Sequence, residues 1–298
     1  MASGSSSPLV SVVITCYNYA DYLSEAIESA LNQTYRPIEI IVVDDGSTDN
    51  SAELARRYPV TLIRQTNQGV ATASNRGVMA SSGKYYVLLN ADDSLHPYFV
   101  EKTLPVLEEN NQFAFAFTHV VLFGDRNAVV LAREYDPGIL SRSNYIVATA
   151  LVRRLAFDAV GGYDPSLPSC EDWDYWLMLA KEKFSGKLIP EPLFYYRQHG
   201  ASRNNAPKDI HKVAFRRMRR KHAWLFAKRA QTVDVFFVRL EQLVGDIACG
   251  FIKPLQKITP DLYQVIRLKV LTLLSPGAIV LADLDEGQFQ LLRQKTQQ

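Results

Sequence analysis

Cysteine is scarce: Cys16, Cys170 and Cys249 are dispersed through 298 residues without CxxC spacing. Such a set excludes a disulfide framework and a cysteine-based zinc site, and it fits a reducing, cytoplasmic compartment. Long apolar runs are also lacking. The longest runs from Val270 to Ala282 and is interrupted by Pro276, short of the roughly 20 residues of a bilayer span. The opening MASGSSSPL has no charged n-region and no apolar h-region, so no signal peptide is expected. Residues 1–7 read as a disordered lead-in or an expression remnant. Net charge is nearly absent at +2 and names no partner, and 15 Gly with 14 Pro in no short period exclude collagen-like and solenoid repeats.

What is present is a core-forming composition, 47% hydrophobic, which excludes global disorder. The first half alternates two periods. The short β-branched run Leu9–Thr15 reads as a buried strand, and Ile38–Val43, Val60–Arg64 and Tyr85–Leu89 read as three further strands. Helical spacing separates them, at Leu23–Leu31, from the caps Ser47, Thr48 and Asp49 to about Arg57, and at Val70–Ala80. This alternation predicts βαβ units and a largely parallel sheet flanked by helices, an α/β fold. In such sheets ligands bind beyond the carboxyl ends of the strands. After Pro105 the pattern is mixed, with strands at 113–121 and 129–131 and helices at 153–160 and 172–183. From Pro207 it is helical with few strand signals. The division expected is therefore a catalytic domain over 8–205 and a helical C-terminal region over 206–298.

Four stretches carry chemistry. IVVDDGSTDN ends a strand with Asp44 and Asp45. Its carboxylates can accept from an imide N–H or a ribose hydroxyl, although a βα turn explains Asp-Gly and a capping Ser47 equally well. LLNADDS places Asn90, Asp92 and Asp93 at another strand end, a spacing that suits a hard divalent ion holding phosphate oxygens or a plain capped strand exit. CEDWDYW puts Asp172 in the first turn of a helix, where the ionised carboxylate that a general base needs is favoured; Ser169, three residues earlier, is the candidate cap. YYRQHGAS contains His199, a metal ligand or a surface imidazole.

Together these motifs resemble glycosyltransferase family 2 on a GT-A fold. The resemblance runs from about Pro8 to Arg203 through SVVITCYN, ALNQTY, IEIIVVDDGSTDNS, TNQGVATASNRG, GKYYVLLNADD, GGYDPSLPSCEDWDYWLMLA and YYRQHGAS. It implies an inverting, non-processive transferase that moves a sugar from a nucleotide-diphosphate donor, UDP foremost, to a hydroxyl of a carbohydrate or lipid-linked acceptor. Surface glycan or polysaccharide biosynthesis is the implied setting. Carried over by position, Thr15, Tyr17 and Asp45 form the nucleoside pocket, and Asp44 and Asn75 line it. Asn90-Ala91-Asp92 stands in the place of the DXD motif, with Asp92 the metal carboxylate and Asp93 beside it. His199, in the HxxS position, is a further ligand for Mn²⁺ or Mg²⁺, and Asp172, in the ED position, is the general base. Two departures stand out: Asn90 replaces the first Asp, and Ser74 replaces an Arg that often precedes Asn75. No QxxRW follows the ED region, which argues against a processive synthase.

Two other functions are weighed. A nucleotidyltransferase of similar fold needs a Gly-rich basic loop after the first strand, but that loop reads TCYNYADY. A catalytically silent sugar-nucleotide binder is suggested by Asn90. One feature lies outside the resemblance. Arg203 to Arg229 holds ten basic residues against Asp209 alone, leaving the rest of the chain net negative. An apolar stripe of Ile210, Ala214, Met218 and Leu225 runs through Arg216, Arg217, Arg219, Arg220 and Lys221. It reads either as a helix docked on the catalytic domain or as a peripheral contact with an anionic membrane face. Nucleic acid is not expected, because no recognition module accompanies the charge.

Overall fold

The computed structural model describes residues 7–141, 143–200, 208–226 and 280–283. The expected lead-in (save Ser7), Ser202, Cys249 and most of the C-terminal region lie outside the described residues.

Strands β1 (Val10–Cys16), β2 (Ile38–Asp44), β3 (Thr61–Arg64) and β4 (Tyr85–Asn90) pair in parallel in the order β3-β2-β1-β4. All seven residues of β1 are buried, as its unbroken apolar run requires of a strand covered on both faces. Helix α1 (Ala20–Leu31) buries Leu23, Ala26, Ile27 and Ala30. Helix α3 (Val70–Ala80) presses on the sheet through Gly77, where a Cβ would lie 2.2 Å from Val13 Cγ1. The intervening α2 (Ser51–Ala55) is shorter than expected and has no side-chain cap. Asp49 instead accepts from Ser51 N and, through its other oxygen, from Ala20 N at the start of α1 (both 3.0 Å).

Beyond β4 the sheet turns mixed. The antiparallel β8 (Leu151–Arg153) follows β4, then β6 (Phe113–Gly124), β7 (Ala128–Leu131) and β10 (Val280–Asp283). The 14-residue β9 (Ser185–Gln198) runs parallel to β6 and also pairs with the two-residue β5 (Ser94–Leu95). Strand β10 corrects the all-helical reading of the C-terminal region, since Val280–Asp283 pairs antiparallel with β7. The remaining helices are α4 (Phe99–Glu109), α5 (Pro137–Leu140), α6 (Arg154–Val160), α7 (Glu171–Lys181), α8 (Lys208–Lys221) and α9 (Ala223–Phe226). Among the described residues no helix is long and apolar enough to cross a membrane.

Helix α8 is the basic stretch, and one side of it is docked. Ala214 and Met218 are fully buried, and Phe215 packs its ring 5.5 Å from that of Trp173 on α7. Polar contacts close both ends. Ser169 Oγ meets His211 Nδ1 at 2.7 Å, while His222 Nε2 and Lys221 Nζ each donate to Asp174 at 2.7 Å. Lys221 also reaches Asp164 at 2.8 Å.

Candidate active site

Three strand ends open onto one cleft of about 930 Å³, within the size range of small-molecule sites. Thr15, Tyr17, Asp45, Asn90, Asp92, Asp93 and Asp172 all line it, although Asp92 and Asp172 are 80 positions apart in sequence. Asp45 holds the wall beside it. Its Oδ1 accepts from Gln65 Nε2 (2.7 Å) and Gln68 N (2.8 Å), and its Oδ2 from Gly69 N (2.8 Å) at the head of α3.

Two residues expected to line the nucleoside pocket are not in the cleft wall. Asp44, 1% exposed, accepts from Ser47 N at 3.0 Å and pairs with Arg64 at 2.9 Å. It braces the β2 exit against β3. Asn75 clasps the loop after α6, donating to Tyr163 O and accepting from Tyr163 N, each at 2.8 Å. At Gly162 (φ +84°) a Cβ would meet the Asn75 oxygen at 2.5 Å, so the clasp requires glycine there. The local sequence called for polar groups at both places; their direction was set by partners far along the chain.

The acidic pair divides its labour. Asp93, 1% exposed, accepts from Arg197 N (3.0 Å) and Asn90 Nδ2 (3.2 Å). Burial first, and then the neighbouring Asp92 charge, pushes its carboxyl well above the usual range. Asp92 faces His199, whose Nε2 lies 3.1 Å from Asp92 Oδ2. The imidazole packs between Tyr19 and Tyr22, with ring centroids 5.8 and 5.0 Å away. Behind both carboxylates stands Arg197, its Nε bonded to Asp92 O at 2.9 Å and its guanidinium 4.2 Å from the Phe123 ring centre. Arg197 lies inside YYRQHGAS and alternates with His199 along the chain, but no role had been assigned to it.

A carboxylate and an imidazole side by side suit Mn²⁺ or Mg²⁺ in a shell completed by phosphate oxygens and water. Among the described residues no group of three or more His, Cys, Asp or Glu could hold an ion alone.

The opposite wall is built on α7. The expected Ser169 cap is not used: Cys170 occupies the N-cap at φ +62° with no side-chain cap bond, and Ser169 turns to His211. Asp172 accepts from the N–H of Trp173 (2.8 Å) and from Asn144 Nδ2 (3.1 Å). Glu171, Trp173 and His211 line the same wall. Asp174 is turned inward and fully buried. Asn144 and His211 were not foreseen, because they reach the site from a loop and a helix with no motif of their own.

A curled sheet, parallel where it meets the cleft, with an acidic strand end on one wall and a carboxylate-bearing helix on the other, defines a GT-A glycosyltransferase. Comparison agrees: the family model described as "Glycosyl transferase family 2" matches residues 11–163. The chain is 31% identical over 206 residues to the putative glycosyltransferase EpsE of Bacillus subtilis, covering 65% of this chain and 74% of that protein. It is 33% identical over 213 residues to glycosyltransferase RP339 of Rickettsia prowazekii, covering 67% of each. The fold is similar to that of Staphylococcus aureus TarS 1-349 in complex with UDP-GlcNAc (TM-score 0.57, 17% identity, 68% of this chain and 64% of that one). The same TarS fragment with UDP gives a TM-score of 0.54 at 16% identity, over 89% of this chain and 85% of that one. The chain belongs to glycosyltransferase family 2.

Proposed function

We propose that this glycosyltransferase is an inverting, non-processive enzyme that moves a sugar from a UDP-linked donor to a hydroxyl of a carbohydrate or lipid-linked acceptor. The observation that carries the reading is one cleft lined by both Asp92, with His199 against its carboxylate, and Asp172. The UDP and UDP-GlcNAc complexes of TarS support the choice of donor. In this reading Thr15, Tyr17 and Asp45 face the nucleoside. Asp172 removes the acceptor proton while that oxygen attacks the anomeric carbon and the bond to the diphosphate breaks, leaving its electron pair on the phosphate oxygen. A single displacement inverts the configuration, so an α-linked donor gives a β product. Asp92 and His199 would hold a divalent cation, which would supply positive charge for the leaving diphosphate.

The outer side of α8 supports a peripheral site of action. Arg216, Arg219 and Arg220 lie exposed there with Val213 half-exposed, and Trp224 on the adjoining α9 is half-exposed too, a mixture that suits an anionic bilayer surface. Failure to sediment with anionic vesicles at low salt would remove this part.

A thermal-shift screen of UDP-, dTDP- and GDP-sugars with Mn²⁺ tests the donor. At 100 times its dissociation constant a ligand adds about 2.7 kcal/mol. UDP-sugars should raise the melting temperature, and the anomeric configuration of the product, read by NMR, should be inverted. Retention of configuration, or a response confined to another nucleotide, overturns the respective part.

A further inference from the structure

The loop over residues 143–150 lies along the first turns of α7, and both this loop and the end of α5 are held there by indoles. Trp173 Nε1 donates to Leu140 O at 2.7 Å, and Trp176 Nε1 donates to Ile146 O at 3.0 Å. Tyr145 and Ile146 are buried, and the Tyr145 hydroxyl accepts from Asp136 N at 2.8 Å. Between these fixings Asn144 donates through Nδ2 to Asp172 Oδ2 at 3.1 Å. Its other amide atom, Oδ1, is buried and meets no donor among the described residues. Charge sets the amide's orientation, because turned over it would bring oxygen against a carboxylate oxygen.

A buried carbonyl oxygen without a donor opposes folding. The loop does not need the asparagine to hold its place, since two indoles and a buried Tyr-Ile pair already fix it. An apolar side chain of the same size would relieve the unpaired oxygen. What would be lost is the hydrogen bond to Asp172. We infer that Asn144 is a positioning residue for the general base: it holds the Asp172 carboxylate in one rotamer, from the side opposite the Trp173 N–H. The inference rests on the reading of Asp172 as the base. It makes the loop over residues 143–150, which carries no motif, part of the catalytic apparatus.

The test separates rate from stability in the full chain. Asn144→Leu removes both the donor and the unpaired oxygen, and Asn144→Ala serves if leucine does not fit. Asn144→Asp keeps the shape but sets a second carboxylate against Asp172. Three quantities are read with Mn²⁺: melting temperature, UDP affinity by calorimetry, and UDP release from UDP-GlcNAc with water as acceptor. Misplacement of a reacting group costs up to about 10²-fold. All three variants should release UDP about 10- to 100-fold more slowly with UDP affinity unchanged, and Asn144→Leu should melt no lower than the unsubstituted protein. A lower melting temperature with unchanged release makes Asn144 a loop strut and overturns the assignment. So does near-full release by Asn144→Asp, or a loss of UDP affinity that accounts for the loss of rate. Absence of release by the unsubstituted protein overturns the proposed donor in the form tested, and full release by Asp172→Asn overturns the reading of Asp172 as the base and this assignment with it.

Discussion

Asp172 and Asp174 stand two positions apart on α7 and live in opposite surroundings. One lines the cleft, while the other is sealed against Lys221 and His222. Residues two apart on a helix point about 200° apart, so one helix can turn the first to the cleft and the second to the packing. Asp172→Asn should cut transfer by about 10²–10⁴-fold with donor affinity little changed, measured by product formation alongside calorimetry. Glu171→Gln should keep most of the turnover. Asp174→Asn should show itself as lost stability, because it weakens two contacts to a buried charge. On the other wall, EDTA should weaken donor binding, Mn²⁺ or Mg²⁺ should restore it, and Asp92→Ala should abolish transfer. Donor affinity unchanged in excess chelator would contradict the roles given to Asp92 and His199. Asp92 and Asp172, which line the cleft, were legible as polar ends of elements because each sits in a compact motif there. Arg197, Asn144 and His211 were not readable. Their meaning lies in contacts to residues 105, 28 and 42 positions away, which no local pattern encodes.

Among the elements, α8 joins the catalytic domain through a buried face and charged ends. Met218 is fully buried, so Met218→Ala should cost about 2–5 kcal/mol, read by urea unfolding. The ionic end of the clamp responds to acid. Burial raises the Asp164 carboxyl, but hydrogen bonds from Lys221 and Ser166 outweigh it and bring it from 3.8 to about 2. A carboxylate depressed by folding contributes stability in full above its ordinary value and loses it as pH falls towards the folded one. Stability should therefore drop between pH 3.8 and about 2, and the drop should shrink in Asp164→Asn. The central parallel strands β1, β2 and β4 were legible as short apolar runs, buried in β1 and over most of β2 and β4, whereas β3, read from its sequence alone, lies only partly buried at the edge. Strand β9 was not, because Pro190 and Pro192 interrupt it. The structure accommodates Pro192 opposite His119, where the register with β6 slips, as prolines in sheets are accommodated at bulges. Strand β8, at three residues, is too short to carry a period. The Ser169 cap failed because a helix distant in sequence offered the hydroxyl another partner.

For the whole molecule, the division at 205–206 marks a change of pattern rather than a seam in the packing. Removing the chain from residue 206 onward would uncover Trp173 and leave Asp174 buried without Lys221 or His222. The shortened chain should melt well below the full one, even though every cleft motif is retained. An unchanged melting temperature would show the catalytic fold to be self-sufficient.

The cleft is also assembled from two unequal inheritances. One part of the cleft lining is folded from residues 15–93, and another, bearing Asp172, from residue 144 onward, with Val120, Val130 and Ala132 between them. Arg197 and His199 come from the later stretch yet hold the Asp92–Asp93 end of the earlier one. A hybrid gene joined between the two stretches would thus carry one parent's Asp92 side of the cleft and the other's Asp172 side. Its viability would turn on whether those two side chains still found their carboxylates.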